Sequence, residues 1–258
     1  MIKYMKSELY RVVHSKGIYL LAGVCLSITL AVNLILAYFR GVEPSFAYGN
    51  TAFAFGMLGG FMQPIFFLTL LMGCLIFADE YKNKTIMNSI SFGYSRLTVY
   101  FGKLAVAIIV SAALLVLVLS IFIGSGILLL ENSGTEVLCN LLKGFGACIP
   151  ILITGEVAAI TFAFLIGTVM GSTWTWMGVF VCVPMACELL GMKFEIFARI
   201  SKWLAYVIAG EGTLTEDMGL VLVWMSRDGF IRCILAGLAG IAVFLAIGVV
   251  GIRRKELV

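Results

Sequence analysis

The chain has 258 residues, of which 62% are hydrophobic and only 12% are charged. A soluble domain carries about a quarter charged residues, because its outer surface must face water. The mean hydropathy of +1.09 therefore excludes an ordinary soluble protein and predicts an integral membrane protein. The net charge of +4 does not indicate nucleic-acid binding, since the basic residues flank apolar runs and form no cluster with interleaved aromatic residues.

The amino-terminal stretch is patterned as an amphipathic helix. Met5, Leu9, Val12 and Val13 recur at helical spacing, and lysine and arginine side chains fall on the other faces. This pattern predicts a short helix that lies on the cytoplasmic membrane surface. The alternative is a solvated helical extension of the first membrane span.

Six apolar runs follow, each long enough for a transmembrane helix of about 20 residues. The runs are continuous, whereas the strands of a membrane barrel would alternate polar and apolar residues, so an all-α fold is predicted. The predicted spans form one domain over residues 1–258 and lie at 17–39, 52–78, 103–130, 145–171, 173–191 and 231–252.

The loops give these six spans an orientation. Eleven of the 18 lysine and arginine residues fall on the side that holds both termini and the loop between the second and third spans. Because positive charge is enriched in cytoplasmic loops, both termini are predicted to be cytoplasmic. The predicted location is the plasma membrane, with the chain crossing it several times.

The loop between the second and third spans reads Asp79 and then EYKNKTIMNSISFGYSR. Thr85 can cap a helix, and Ile86 and Ile90 lie one helical turn apart. A short helix held against the membrane by its apolar face and ending at Gly93 is one interpretation. An ordinary charged connector is the other.

Two acidic residues lie within predicted spans. Glu156 is near the middle of the fourth span, where a charged carboxylate costs roughly 2.5–3.5 kcal/mol, so it should face protein or water or be protonated. It is a candidate translocation-path or gate residue, or else a neutral group that bonds a neighbouring helix. Glu188 lies near the outer end of the fifth span and is a second, weaker candidate.

The stretch before the last span predicts an amphipathic helix at the outer membrane interface. Its apolar positions, three or four residues apart, are Phe194, Phe197, Ile200, Trp203, Leu204 and Val207. After a break at Gly210 to Gly212, the apolar run Met218–Met225 is too short to span. A re-entrant or interface-lying element is predicted there.

The loop sequence, followed by Gly102-Lys103 at the head of the third span, resembles the first cytoplasmic loop of ABC-2 type permeases. The opening KSELYRVVHSKGIYLL is similar to their amino-terminal helix and the start of their first span. These permeases are the membrane subunits of ATP-binding cassette (ABC) exporters. The chain is most similar to the small six-span permeases of bacteriocin, lantibiotic-immunity and related peptide exporters.

The resemblance implies a coupling helix that docks on a separate ABC ATPase subunit, which would bind ATP and magnesium. The coupling residues that it implies are Asp79, Glu80, Tyr81, Lys82, Thr85, Ile86, Ile90, Phe92 and Arg96. It also implies an outer gate, with Phe194, Phe197 and Trp203 as candidates. A second permease copy, identical or related, would complete the path for a peptide or lipid-like substrate.

No catalytic, cofactor or metal site is predicted in this chain. It lacks the GxxxxGK[ST] phosphate loop and the HExxH zinc motif, and its only histidine, His14, precedes the first span. Its seven cysteines form no CxxC or Cys/His spacing. The predicted function is therefore that of a transporter subunit rather than an enzyme.

The residues are also compatible with two other functions. A proton-coupled secondary transporter or channel would use Glu156 and would need no ATPase partner. A non-transporting immunity or scaffold protein would bind a peptide without ATP hydrolysis. The lack of an evident internal repeat disfavours the first of these alternatives.

Overall fold

The computed structural model describes residues 2–43, 46–83, 93–214 and 220–254, which are almost entirely helical. The helices are α1 (Ile2–Val13), α2 (Lys16–Val42), α3 (Thr51–Gly60), α4 (Met62–Asn83), α5 (Arg96–Leu129), α6 (Thr135–Ile166), α7 (Val169–Met177), α8 (Val183–Gly191), α9 (Glu195–Ser201), α10 (Ala205–Gly210) and α11 (Arg227–Arg254). The remaining elements are a π-helical turn at Gly178–Cys182, a two-stranded antiparallel hairpin of β1 (Gly212–Leu214) and β2 (Leu220–Leu222), and a 3-10 turn at Val223–Met225.

Five helical stretches of the described residues are long and apolar enough to cross a membrane, namely α2, α5, α6, the α7–α8 unit and α11. Helices α3 and α4 together form a sixth candidate, bent by 53° between them. The helical fold with five to six membrane-length helices agrees with the prediction of six crossings. The bend follows Gly59 and Gly60, and Pro64 lies in the first turn of α4, where its missing N–H is tolerated.

The helix bounds differ from the predicted spans at several ends. Helix α6 begins at Thr135 rather than at 145 and ends before Gly167, not at 171. Gly167 has φ of 80°, a left-handed conformation that terminates a helix, and the Thr168 hydroxyl then accepts a hydrogen bond from the Gly171 N–H. The apolar run continues through this break, so hydropathy alone could not locate it.

The π-helical turn has a local cause in Pro184. A proline inside a helix has no backbone N–H to donate, and its ring crowds the carbonyl four residues before it. The Val183 N–H bonds the Gly178 carbonyl, five residues back, which widens the turn ahead of the proline ring. Residues 169–191 thereby remain one continuous helical unit of 23 residues.

Helix α6 lies at the centre of the bundle. In its most apolar 18-residue window 67% of residues are buried, against 17–22% in the other four candidate spans. Its most extensive contact is with α11, where backbones approach so closely that a Cβ at Gly237 would lie 2.6 Å from the Pro150 carbonyl carbon. The Thr154 hydroxyl donates 2.8 Å to the Gly237 carbonyl, which ties the two helices together.

The chain between α8 and α11, described at 192–214 and 220–226 and called the 192–226 segment below, folds over one end of the bundle. The Trp224 ring covers Gly144 on α6, Leu222 covers Gly59 on α3, and Gln63 donates to the Tyr206 carbonyl at 3.2 Å. The run predicted as a single element at Met218–Met225 contains β2 and the 3-10 turn, while 218 and 219 lie outside the described residues. The stretch predicted as one amphipathic helix forms two short helices, α9 and α10, and a hairpin with a 3-10 turn stands where the re-entrant or interface-lying element was predicted.

Candidate functional site

The predicted coupling residues fall between the last turns of α4 and the start of α5. Asp79, Glu80, Tyr81 and Lys82 are at the carboxyl end of α4, and Arg96 is the first residue of α5. Thr85, Ile86, Ile90 and Phe92 lie outside the described residues. The chain re-enters the described structure at Gly93, whose φ of 88° turns it toward α5. Ser95 caps α5 by accepting a 3.1 Å hydrogen bond from the Thr98 N–H.

Helix α1 packs against the start of α5. Its buried face consists of Tyr4, Glu8 and Val12, while Val13 is exposed. Gly102 gives the Tyr4 ring the room it needs, because a Cβ at Gly102 would lie 2.6 Å from Tyr4 Cδ1. Ser15 has an extended conformation between α1 and α2, so α1 is a separate helix and does not extend the first span.

An ion cluster joins α1 to the carboxyl-terminal part of α4 and to the amino-terminal part of α5. The Glu8 carboxylate accepts from Arg11 Nη2 at 2.7 Å and from Lys103 Nζ at 3.3 Å. Arg11 Nη2 also donates 3.1 Å to the Ile76 carbonyl on α4. The Lys103 ammonium lies 5.1 Å from the centre of the Phe77 ring. We call this cluster of Glu8, Arg11, Phe77 and Lys103, together with Tyr4, the α1–α4–α5 junction.

Four of the five side chains in the α1–α4–α5 junction are buried, and only Arg11 is partly exposed. Lys103 is 0% exposed and Glu8 is 7% exposed, so their charges are taken out of water and held by one another. A buried ion cluster of this kind has defined geometry, because each charge that lost its partner would carry a large desolvation cost. The junction can therefore make α1, the end of α4 and the start of α5 move together. Tyr94, just before α5, adds a ring contact with Tyr4, with the ring centres 5.3 Å apart.

Glu156 is buried inside the bundle. It is 3% exposed on α6, and the Ser111 hydroxyl of α5 donates to its carboxyl Oε1 at 2.6 Å. The sequence placed this residue in mid-span, and its burial fits either a gate residue or a hydrogen bond between helices. Glu188 is exposed in the last turn of α8, so the two carboxyl groups do not share one buried site.

The three predicted outer-gate residues lie on or beside α9. Phe194 and Trp203 are 56% and 53% exposed, and Phe197 is half-buried with its ring 6.3 Å from that of Phe194. Their exposure means that they do not close a channel within a single chain. A gate built from them would need a second chain or the lipid.

Several polar contacts escaped the sequence analysis. Arg232 at the start of α11 pairs with Glu211, which anchors the 192–226 segment to that helix. Asn33, which is fully buried on α2, donates 2.9 Å to the Phe122 carbonyl and 2.7 Å to Ser125 Oγ of α5. An asparagine in the middle of an apolar run was the available signal for such a helix-to-helix bond.

No protein-family model, curated protein or solved structure matches the chain.

Proposed function

We propose that this chain is the membrane-spanning permease subunit of an ATP-binding cassette exporter, with an apolar or amphipathic peptide as cargo. The α1–α4–α5 junction is the observation that carries the proposal. It holds the amphipathic helix α1 against the helices on both sides of the loop that resembles an ATPase-coupling helix. A loop that receives force from a partner needs such rigid attachments. If the flanking helices could move independently, the movement of the loop would not reach the membrane spans.

In this mechanism two permease copies, identical or related, enclose the path, and each binds one ATPase subunit at residues 79–92. ATP binding closes the two ATPase subunits on one another and shifts the coupling loops. The buried Glu8 to Lys103 pair passes that shift to α5 and α1 as one body. The membrane helices then alternate between inward and outward access.

The arrangement of the ends supports the proposed orientation in the plasma membrane. Ile252 in the last described turns of α11 belongs to the same hydrophobic cluster as Tyr4 and Val12 of α1. Helix α1 and the last described turns of α11 thus lie at one end of the bundle, as an even number of crossings requires. The excess of lysine and arginine on that side favours the cytoplasm.

The proposal is tested by co-purification of the chain with the ATP-binding subunit encoded beside it. Replacing Glu80 with lysine together with Tyr81→Ala is expected to reduce the bound ATPase about tenfold or more, since a few central residues carry most of an interface's binding energy. The matched control is Glu195→Lys, the same charge reversal on α9, where the side chain is 77% exposed. Unchanged ATPase binding and transport in the double variant would show that residues 79–92 do not couple the two subunits.

Glu156 separates the proposed exporter from a proton-coupled transporter. In the exporter, Glu156→Gln keeps an acceptor for the Ser111 hydroxyl, and ATP-driven transport should change less than about tenfold, since one hydrogen bond contributes roughly 0.5–1.5 kcal/mol. A proton-coupled transporter would lose all transport, because glutamine does not titrate. Transport into proteoliposomes, driven once by ATP with the ATPase subunit and once by a pH gradient without it, distinguishes the two functions.

A further inference from the structure

Helix α9 and the turn after it carry an exposed apolar stripe beside a charged one. The apolar stripe is formed by residues spaced four and then three apart, Ile196, Ile200 and Trp203, which are 71%, 46% and 53% exposed. The charged stripe, one position earlier at each step, is formed by Glu195, Arg199 and Lys202, all exposed. The third side, at Phe197, Ser201 and Leu204, is buried or half-buried. The short helix is thus held by the protein on one side and leaves an apolar and a charged side uncovered.

The orientation of α9 is fixed by its junction with α8. The Leu190 carbonyl accepts hydrogen bonds from the N–H groups of both Lys193 and Phe194, at 3.0 and 2.9 Å. Gly191 touches the α9 backbone, because a Cβ there would lie 3.0 Å from Ala198 Cα. Helix α9 therefore lies folded against the end of a unit that is long and apolar enough to cross the membrane.

Helix α8 and the turn before α9 also expose apolar side chains. Met185 and Leu189 are 59% and 60% exposed in α8, and Met192, in the turn between the helices, is 85% exposed. Since the α7–α8 unit is a candidate span, lipid is the natural cover of this part of it. Lipid then also covers the exposed apolar stripe of α9, which lies at the depth where a membrane helix ends.

The charges beside this surface favour one kind of lipid. Lys193, Arg199 and Lys202 outnumber the two acids beside them, Glu188 at the end of α8 and Glu195. The Glu195 Oε1 accepts a 2.6 Å hydrogen bond from Arg199 Nη2. Arginine has five N–H donors, so this pair leaves donors for a second anion. A tryptophan at the edge of an apolar stripe is typical of the layer in which phospholipid headgroups lie.

We propose that α9 is an interfacial anchor that seats Ile196, Ile200 and Trp203 among the upper acyl chains and binds the phosphate groups of anionic phospholipids through Arg199 and Lys202. The anchor would hold the 192–226 segment at the bilayer surface and make its position sensitive to lipid composition. This binding site is independent of the ATPase partner.

Trp203 fluorescence tests the depth of α9. Trp176 and Trp224 are buried and Trp174 is exposed, so Trp174→Phe leaves Trp203 as the exposed tryptophan of the chain. In nanodiscs, phospholipids brominated near the headgroup should quench this variant more strongly than deeply brominated ones, and Trp174→Phe/Trp203→Phe should lose the difference. Quenching of Trp203 by aqueous acrylamide alone would place it in water. Quenching by neither acrylamide nor brominated lipid would place it under a second protein copy, and either result would overturn the proposal.

Lipid counting tests the charged stripe. In nanodiscs of mixed phosphatidylglycerol and phosphatidylcholine, the Arg199→Gln/Lys202→Gln variant should lose enrichment of phosphatidylglycerol, by roughly fivefold in affinity per removed cation. The matched control is Lys143→Gln/Arg227→Gln, which removes two exposed cations elsewhere on the same end of the fold. Equal loss in both double variants would assign the lipid preference to net charge and refute a site on α9.

Discussion

Replacing Glu8 with glutamine is expected to give the largest loss of stability among single-charge substitutions in the described structure. The carboxylate neutralises two cations, Arg11 and Lys103, and Lys103 is 0% exposed. Removing one partner of a buried ion pair costs up to about 3–5 kcal/mol, and the loss here falls on Lys103, which stays out of water, since the Arg11 side chain is 34% exposed. Thermal unfolding of the detergent-purified protein should show a lower Tm for this variant. ATP-driven transport should also fall at temperatures at which the variant is still folded.

Two further variants make this expectation specific. Glu195→Gln removes a carboxylate that is 77% exposed and pairs with Arg199, so its effect should be about 0–1 kcal/mol. Lys103→Met should be milder than Glu8→Gln, since Glu8 keeps Arg11 and the methionine can still cover Phe77. A Glu8→Gln protein as stable as the Glu195→Gln protein would contradict the description of the α1–α4–α5 junction as a buried ion cluster.

Replacing Gly237 with leucine is expected to prevent stable assembly of the bundle. A Cβ at this position would lie 2.5 Å from Pro150 Cβ and 2.7 Å from the Ile151 nitrogen, and backbone atoms cannot rotate aside. Overpacking of side chains alone costs about 1–3 kcal/mol, and separating α6 from α11 adds the loss of their whole contact. The measurement is the yield of monodisperse protein on size exclusion, followed by its Tm.

Gly146→Leu is the matched control for this prediction. A Cβ at Gly146, on the exposed side of α6, would meet nothing within 4 Å, so leucine there should face lipid at little cost. Equal yields of the Gly237 and Gly146 variants would mean that α6 and α11 do not approach as closely as the structure has them.

Composition predicted the class of fold because lipid burial leaves a strong hydropathy signal over about 20 residues. The ends of the helices were predicted less well, since hydropathy reports contact with lipid and not helical conformation. The predicted span began at 145 because the residues before it, among them Asn140 and Lys143, are polar. These residues are nevertheless helical, and α6 starts at Thr135. The hairpin of β1 and β2 was missed because three-residue strands are too short for a periodic pattern.

The candidate site was predicted in part. The resemblance identified Lys103 together with the coupling loop, but the burial of Lys103 depends on how α1 folds back over α5, which no local pattern specifies. The burial of Glu8 was not predicted from the sequence. Its spacing of four from both Tyr4 and Val12 would have placed it on the packed face of α1.

Site-specific cross-linking tests the central claim, that a partner ATPase docks at the end of α4. A benzoylphenylalanine in place of Tyr81 should form an adduct with the ATP-binding subunit, and the same group in place of Trp203 should not. The adduct is identified by mass spectrometry through the phosphate-loop peptide of the ATPase. Absence of the adduct from position 81, in preparations whose ATP-dependent transport is intact, would contradict the assignment of this chain as an exporter permease.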